Sequence, residues 1–364
     1  MPSIPYLASL IIGGASALNL AKYAQFKKQI RKFKKSSKRS SYPLSYISLF
    51  TGIGGFEVGI SKVFPNAKCL GYAEIDKDKI SVYEKHFPNH KNLGDIFSIN
   101  QWLVADLLVG GFSCKSRSNI GATSREGKAD VSFDTFYGTL KILKNSNIKN
   151  FILENVPSKG KSALSNDEII RELQKVTGKK VYSKVIDTCL ITGAYRKRIF
   201  FTSFPIVTKL SEKEISRRFE FNLDPYDMHG DGFTENTSDF SKQAKIPSGY
   251  KDPFDYKQNI IAFMNNEKSN FNRWPFASDT LQDCARTVLT RAGTYPSGLI
   301  IDRRGEGPLI RYLSVEEGVR LLGFPKGYLS GIPKTRAFKG LGDSVSPIVV
   351  EYLMENLLIN AQNK

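Results

Sequence analysis

Short apolar bursts alternate with stretches of helical spacing through residues 45–205. YISLF (46–50) and LLV (107–109) read as buried strands, and AKCLGYA (67–73), FIL (151–153) and residues 180–187 as further strands. Each is too short for a helix and closes on glycine, acidic or polar residues; LLV is read as closed by a turn at Gly110-Gly111. Between them, residues 56–64, 77–86, 133–143 and 166–176 repeat apolar positions at helical spacing, and 195–201 closes the pattern as a further strand. The alternation predicts an α/β domain with a doubly wound, mixed but mostly parallel sheet, whose ligands gather at the carboxyl ends of the strands.

The rhythm breaks between residues 211 and 279, where Asn, Asp, Gly and Pro mix with Lys, Arg and the aromatics Tyr226, Phe233, Tyr250, Phe254, Tyr256, Phe263, Phe271 and Trp274. This predicts a smaller, loop-rich second domain. Regular structure resumes with a helix over 314–322, capped by Ser314 with Glu317 as its capping-box partner, and ends in an amphipathic helix through 357. The expected divisions are a leader (1–44), a catalytic and cofactor-binding domain (45–205), a recognition lobe (206–325) and a C-terminal segment (326–364). That last segment returns to the first domain beside the turn at 50–55.

Charge changes the picture more than composition does. The net charge is +18, and residues 22–39 hold nine Lys or Arg and no acid. Such an excess points to a phosphate-backbone partner, with acidic membrane surfaces second. Residues 4–21 carry no charge, but Gly13, Gly14 and Asn19 dilute the run, and no basic flank precedes it as a secretory signal requires. A packed helix or a loose leader is the preferred reading, membrane association the lesser one. Cys69, Cys114, Cys189 and Cys284 are far apart and match neither a zinc site nor a disulfide framework, which suggests a reducing compartment and no metal.

Candidate chemistry gathers at the predicted strand ends. A Gly-rich turn (Gly52, Gly54, Gly55) lets backbone amides and a helix start approach a ligand. Glu74 follows Gly54 by 20 residues, where an acid grips ribose hydroxyls, and Asp95 ends the next strand, where it can hold an adenine amino group. Together these read as a site for an adenosine-containing cofactor. Cys114 lies just past the 107–109 strand, ahead of a glycine-interleaved basic loop (Lys115, Arg117, Arg125, Lys128) of the kind that touches phosphates.

The motifs Phe50-x-Gly-x-Gly-Gly55, Glu74-x-Asp76, Gly111-Phe-x-Cys114, Glu154-Asn-Val156, Arg196-x-Arg198, Arg311…Gly323-Phe-Pro325 and Gly342-x-Ser-Val345 come in an order that resembles the DNA (cytosine-5) methyltransferase family. The resemblance runs from about residue 46 to 358. It implies an S-adenosylmethionine-dependent methyltransferase fold with a target-recognition domain, a duplex DNA substrate and base flipping. A looser similarity to viral members that modify the C of GC dinucleotides is tied to no particular residue.

Carried over, Cys114 is the nucleophile that adds to cytosine C6, and Glu154 protonates or hydrogen-bonds N3 and the exocyclic amine. Arg198 holds O2, and Arg196 orients Glu154 or the loop. The implied cofactor pocket comprises Phe50, Gly52, Ile53, Gly54, Gly55, Glu74, Ile75, Asp95, Ile96, Ser113, Asp343 and Val345. Ser113 replaces the family's proline before the nucleophile, Lys115 replaces glutamine after it, and Asp343 replaces asparagine. The glutamine that often precedes the Arg-x-Arg pair is missing. A monomer without a stable protein partner is expected, in the cytoplasm, nucleoid or a eukaryotic nucleus and not secreted, with restriction-modification as one role. An RNA (tRNA) cytosine-5 methyltransferase and a silent DNA-binding homologue are the alternatives.

Overall fold

Six strands form the central sheet of the computed structural model, which describes residues 42–112, 131–158, 165–206, 223–224, 278–279, 284–290, 292, 298–302, 304 and 309–362. The strands are β1 (Ser45–Leu49), β2 (Lys68–Ala73), β3 (Leu103–Gly111), β4 (Ser146–Asn155), β5 (Tyr182–Asp187) and β6 (Lys197–Thr202), in the order β2-β1-β3-β4-β6-β5. All pairings from β2 to β4 are parallel, and β6 runs antiparallel to both its neighbours. The amino end of β6 therefore lies at the same sheet edge as the carboxyl ends of β1 to β4. That edge is where ligands of doubly wound sheets bind.

Helices α1 (Gly55–Val63), α2 (Lys77–His86), α3 (Val131–Lys144), α4 (Asn166–Thr177) and α5 (Cys189–Thr192) connect the strands. Neighbouring side chains of β1, β3 and β4 pack into two cores. Tyr46, Leu107, Val109 and Ile152 join Phe56 and Ile60 of α1. Ile47, Leu49, Leu108, Phe151 and Leu153 join Phe136 and Leu140 of α3 and Ile169 and Leu173 of α4.

Three-stranded β7 (Ser278–Asp279), β8 (Leu299–Asp302) and β9 (Leu309–Tyr312) precede α6 (Val315–Leu322), α7 (Lys334–Asp343) and α8 (Pro347–Gln362). The expected Ser314–Glu317 capping box is formed. Glu317 is also clasped by Arg311, whose Nη1 and Nη2 reach its two oxygens at 2.8 and 2.7 Å. The last helix departs from its expected amphipathicity. Val349, Val350, Leu353, Met354, Leu357 and Leu358 are buried along with Tyr352 and Asn356, because α8 packs on α1 and completes the first core.

Two further expectations are corrected. Gly110 and Gly111 do not turn the chain: both continue β3, paired with Leu153 and Glu154 of β4. Nor are all the cysteines separate, since Cys189 and Cys284 are disulfide-bonded, with Cα atoms 5.5 Å apart across 95 residues of sequence. The approach is made by a bridge in which Ala285 N–H donates to Gly193 O (2.7 Å) and Tyr195 N–H to Ala285 O (2.8 Å). Cross-linking a loop of this length restricts the unfolded chain by about 5 kcal/mol in the entropic account. Dithiothreitol should lower the melting temperature accordingly, and thiol alkylation without reductant should leave residues 189 and 284 unlabelled. Labelling of both in the native protein would refute the bond.

Glu57, in the first turn of α1, is fully buried. Tyr83 of α2 donates its hydroxyl to Glu57 Oε1 (3.2 Å) and lies 2.8 Å from His90 Nδ1. Tyr46 and Ser48 of β1, Cys69 of β2 and Tyr328 are the other groups whose titration or hydrogen bonding involves this carboxyl. Burial pushes the Glu57 carboxyl up to about 7 from 4.5. Between those two values the folded chain keeps a proton that the unfolded chain has released, so folding stability falls as pH rises through the window. The loss amounts to about 3 kcal/mol. Urea unfolding at pH 5 and pH 8 should show this loss in the wild type and not in Glu57→Gln; parallel curves would refute the assignment.

Candidate active site

The edge formed by the ends of β3, β4 and β6 holds a carboxylate and a guanidinium in contact. Glu154, next to last in β4, meets Arg198, second in β6, with Arg198 Nε 2.8 Å from Glu154 Oε1. Both side chains are largely buried, so the attraction is less screened than on the surface. Their meeting follows from topology, because antiparallel β6 brings its first residues alongside the last of β4. Gly111 of β3 lies opposite Glu154, and a β-carbon there would come within 2.8 Å of Glu154 Oε2. A glycine at this strand end is thus what leaves the carboxylate its place.

The backbone leading out of β3 is held by the same strand end. Asn155 donates its amide to Phe112 O (3.2 Å) and accepts from Val156 N–H (2.7 Å). Phe112 is buried with its ring centroid 5.1 Å from that of Phe136. The chain is therefore anchored two residues before Cys114. Ser113, Cys114, Lys115, Arg117, Arg125 and Lys128 themselves lie outside the described residues, as does most of the aromatic-rich stretch of the second domain.

Arg196 does not reach Glu154, one of its two expected partners, and the loop, the other, lies outside the described residues. Arg196 is buried, and its Nη2 donates to the carbonyls of Gly342 (3.0 Å) and Ser344 between α7 and α8. Arg196 lies just before β6 and Arg198 is its second residue, and only Arg198 reaches the end of β4.

A second group of expected site residues lies at the ends of β1 and β2. Phe50, Gly52 and Gly54 all take positive φ (53°, 62° and 92°), which folds the backbone into a tight turn at the start of α1. Glu74 fixes it: Oε2 accepts from Gly52 N–H (3.0 Å), and Oε1 accepts from Ile75 N–H (2.9 Å) and Asp76 N–H (3.0 Å). Three of the roughly four acceptor positions of a carboxylate are thus occupied by backbone donors. The first residues of α1 abut Val345, whose carbonyl a β-carbon on Gly55 would meet at 2.5 Å. Asp95 accepts from Phe97 N–H (3.0 Å) and caps a short 3-10 turn.

Other expected pocket residues separate by side chain. Ile75 projects outward at 69% exposure. Ile53 and Ile96 are buried core side chains, so only their backbone can face a ligand. Asp343 pairs with Lys79 of α2 at 2.7 Å, a tie between α7 and α2 rather than a free acceptor.

Two residues at this turn were missed in the sequence. Phe97 is 48% exposed two residues after Asp95, with its ring edge against Gly138 of α3. Its signal was an aromatic two residues after Asp95, which caps a 3-10 turn here and does not end the expected strand, because only an isolated bridge between Tyr72 and Asn92 forms before it. Tyr328 donates its hydroxyl to Ile53 O (2.6 Å) and so braces the turn from a distance of 275 residues, for which no local signal exists. Glu74 keeps about one acceptor position, and with the exposed side chains of Ile75 and Phe97 this end of the sheet fits the polar and apolar parts of an adenosine-bearing cofactor. Among the described residues, no group of three or more His, Cys, Asp or Glu could hold a metal ion.

Comparison with known proteins bears on the family and the fold. A family model described as C-5 cytosine-specific DNA methylase matches residues 44–358. The chain is 29% identical over 314 residues to the Type II methyltransferase M.BsuFI of Bacillus subtilis, covering 83% of this chain and 69% of that protein. It is 25% identical over 316 residues to M.NlaX of Neisseria lactamica, covering 85% and 95% respectively. Among solved structures, the Entamoeba histolytica methyltransferase EhMeth superposes with a TM-score of 0.61 at 16% identity, over 88% of this chain and 99% of that one. At that identity the likeness bears on the fold alone.

Proposed function

The chain belongs to the C-5 cytosine-specific DNA methylase family, and from that premise we propose that it methylates C5 of cytosine in a short duplex DNA site, using S-adenosylmethionine. The observation that supports this reading best is the Glu154–Arg198 pair beside Gly111, at the strand end that leads into Cys114.

Cytosine C5 is too weakly nucleophilic to take a methyl group directly, so a thiolate must first add at C6. Cys114 is the residue for that step, because a thiolate combines strong nucleophilicity with an accessible pKa. Electron density pushed into the ring collects at N3 and O2. Glu154 protonates or hydrogen-bonds N3 as the Cys114 sulfur bonds to C6, and Arg198 stabilises O2. S-adenosylmethionine, when bound, supplies the sulfonium methyl that C5 takes up; Gly52, Glu74, Ile75, Asp95 and Phe97 are the residues that would hold it. Loss of the C5 proton to a base then expels the Cys114 thiolate and restores the aromatic ring. C5 and C6 are stacked inside a duplex, so the target base must leave it, at a cost of a few kcal/mol. The basic residues Lys115, Arg117, Arg125 and Lys128 are suited to contact the backbone around the extruded base.

The chain is read as a monomer acting on duplex DNA inside the cell, in keeping with the Type II names of its relatives. Among the described residues no helix is long and apolar enough to cross a membrane; residues 4–21 lie outside them. Bisulfite sequencing of a plasmid expressed with this protein should reveal cytosines protected at one short site. Tritium transfer from labelled cofactor into tRNA, with none into duplex DNA, would overturn the DNA reading.

A further inference from the structure

Arg196 occupies a junction of three parts of the molecule. Its backbone N–H donates to Asp187 Oδ1 (3.0 Å) at the end of β5, which fixes the entry into β6 two residues before Arg198. Its guanidinium reaches across to the turn between α7 and α8, donating to the carbonyls of Gly342 and Ser344. That turn is wedged on both sides. A β-carbon on Gly342 would meet Thr290 N at 2.2 Å, in the segment returning from the second domain. On the other side, Val345 O packs on Gly55, and Gly340 packs on Ile53, both in the Gly-rich turn. One buried side chain therefore links the strand carrying Arg198 to the wall of the cofactor turn.

We propose that Arg196 is a positioning residue that couples the entry of β6 to the cofactor turn, by holding the Gly342–Ser344 segment against the start of β6. The coupling rests on the function proposed above. A guanidinium suits this place because its planar fork donates to two carbonyls at once and its charge does not titrate away. Without it, two buried carbonyls lose donors, and the turn can relax away from Gly55. The cofactor wall loosens first, while Arg198 keeps its own contact with Glu154. The expected signature is weakened cofactor binding with the chemical step largely preserved, the reverse of what loss of a base-contacting group produces.

The test measures S-adenosylhomocysteine binding by calorimetry on the full chain, alongside steady-state kinetics with duplex DNA. Arg196→Met should raise the Kd about tenfold, equivalent to about 1.4 kcal/mol. The cofactor KM should rise in parallel, with kcat at saturating cofactor within about threefold of wild type. Arg196→Lys, which keeps a cationic donor, should recover most of the affinity. Should Arg196→Met fail to fold, Arg196→Gln, with an amide donor and no charge, carries the same comparison. Wild-type binding by the Met or Gln variant would overturn the coupling, as would a hundredfold fall in kcat with unchanged Kd. Equal losses of affinity and melting temperature in all variants, Lys included, would overturn it as a general destabilisation. Failure of the wild-type chain to bind S-adenosylhomocysteine would instead overturn the cofactor reading itself.

Discussion

Cys114→Ser should abolish methyl transfer, lowering kcat by at least about a thousandfold. A serine hydroxyl has the same reach as the thiol, but almost none of it is ionised at neutral pH, so addition at C6 loses its nucleophile. The substitution is nearly isosteric, and the anchored strand end before it, with Phe112 packed on Phe136 and held by Asn155, does not depend on the sulfur. Binding of DNA and of S-adenosylhomocysteine should therefore survive. The decisive measurement uses duplex DNA carrying 5-fluorocytosine. Fluorine at C5 cannot leave as a proton does, so the wild-type chain should remain attached through C6 in a denaturant-resistant complex. Cys114→Ser should give none. A trapped complex with the serine variant, or none with the wild type under methylating conditions, would overturn the assignment.

Glu154→Gln should lower kcat by about a hundredfold or more while leaving the cofactor Kd unchanged. The amide keeps the shape beside Gly111 but cannot deliver a proton to cytosine N3. The same change leaves Arg198 without its charged partner in a largely buried setting, which should reduce stability by about 1–3 kcal/mol. The two effects are separable, since kcat at saturating substrates reports the acid and the melting temperature reports the pair. Arg198→Lys should also lower kcat, and the double variant should lose much less than the product of the single losses, because the two groups act on one ring. Strictly multiplicative losses would show that Glu154 and Arg198 act independently.

These residues were legible in different degrees. Glu154 and Arg198 stand in motifs separated by 44 residues, and the strand pattern places Glu154 at a strand end and Arg198 within the strand expected over 195–201. That their side chains touch follows from the antiparallel entry of β6 beside β4, which no local pattern announces. Arg196 and Arg198 look equivalent in an Arg-x-Arg pair, yet one faces Glu154 and the other the α7–α8 turn. The acid of Asp343 read as a cofactor ligand and proved to pair with Lys79, a partner 264 residues away.

Local chemistry settled what depends on a residue and its near neighbours. Alternating strand and helix patterns set the α/β class, apolar runs set the buried strands, and the Ser314–Glu317 pair set the start of α6. Glycines at 52 and 54 announced a turn that positive φ then required. What remained for the tertiary structure was everything set by a neighbour distant along the chain. Gly110-Gly111 proved to be strand because β4 pairs with it, and α8 proved to be buried nearly all round because the sheet and α1 enclose it. Cys189 and Cys284 met because a bridge between Ala194 and Ala285 carries them together. Periodicity records which face of an element is apolar, but contact between elements is decided by sheet order and packing, and those are properties of the whole chain.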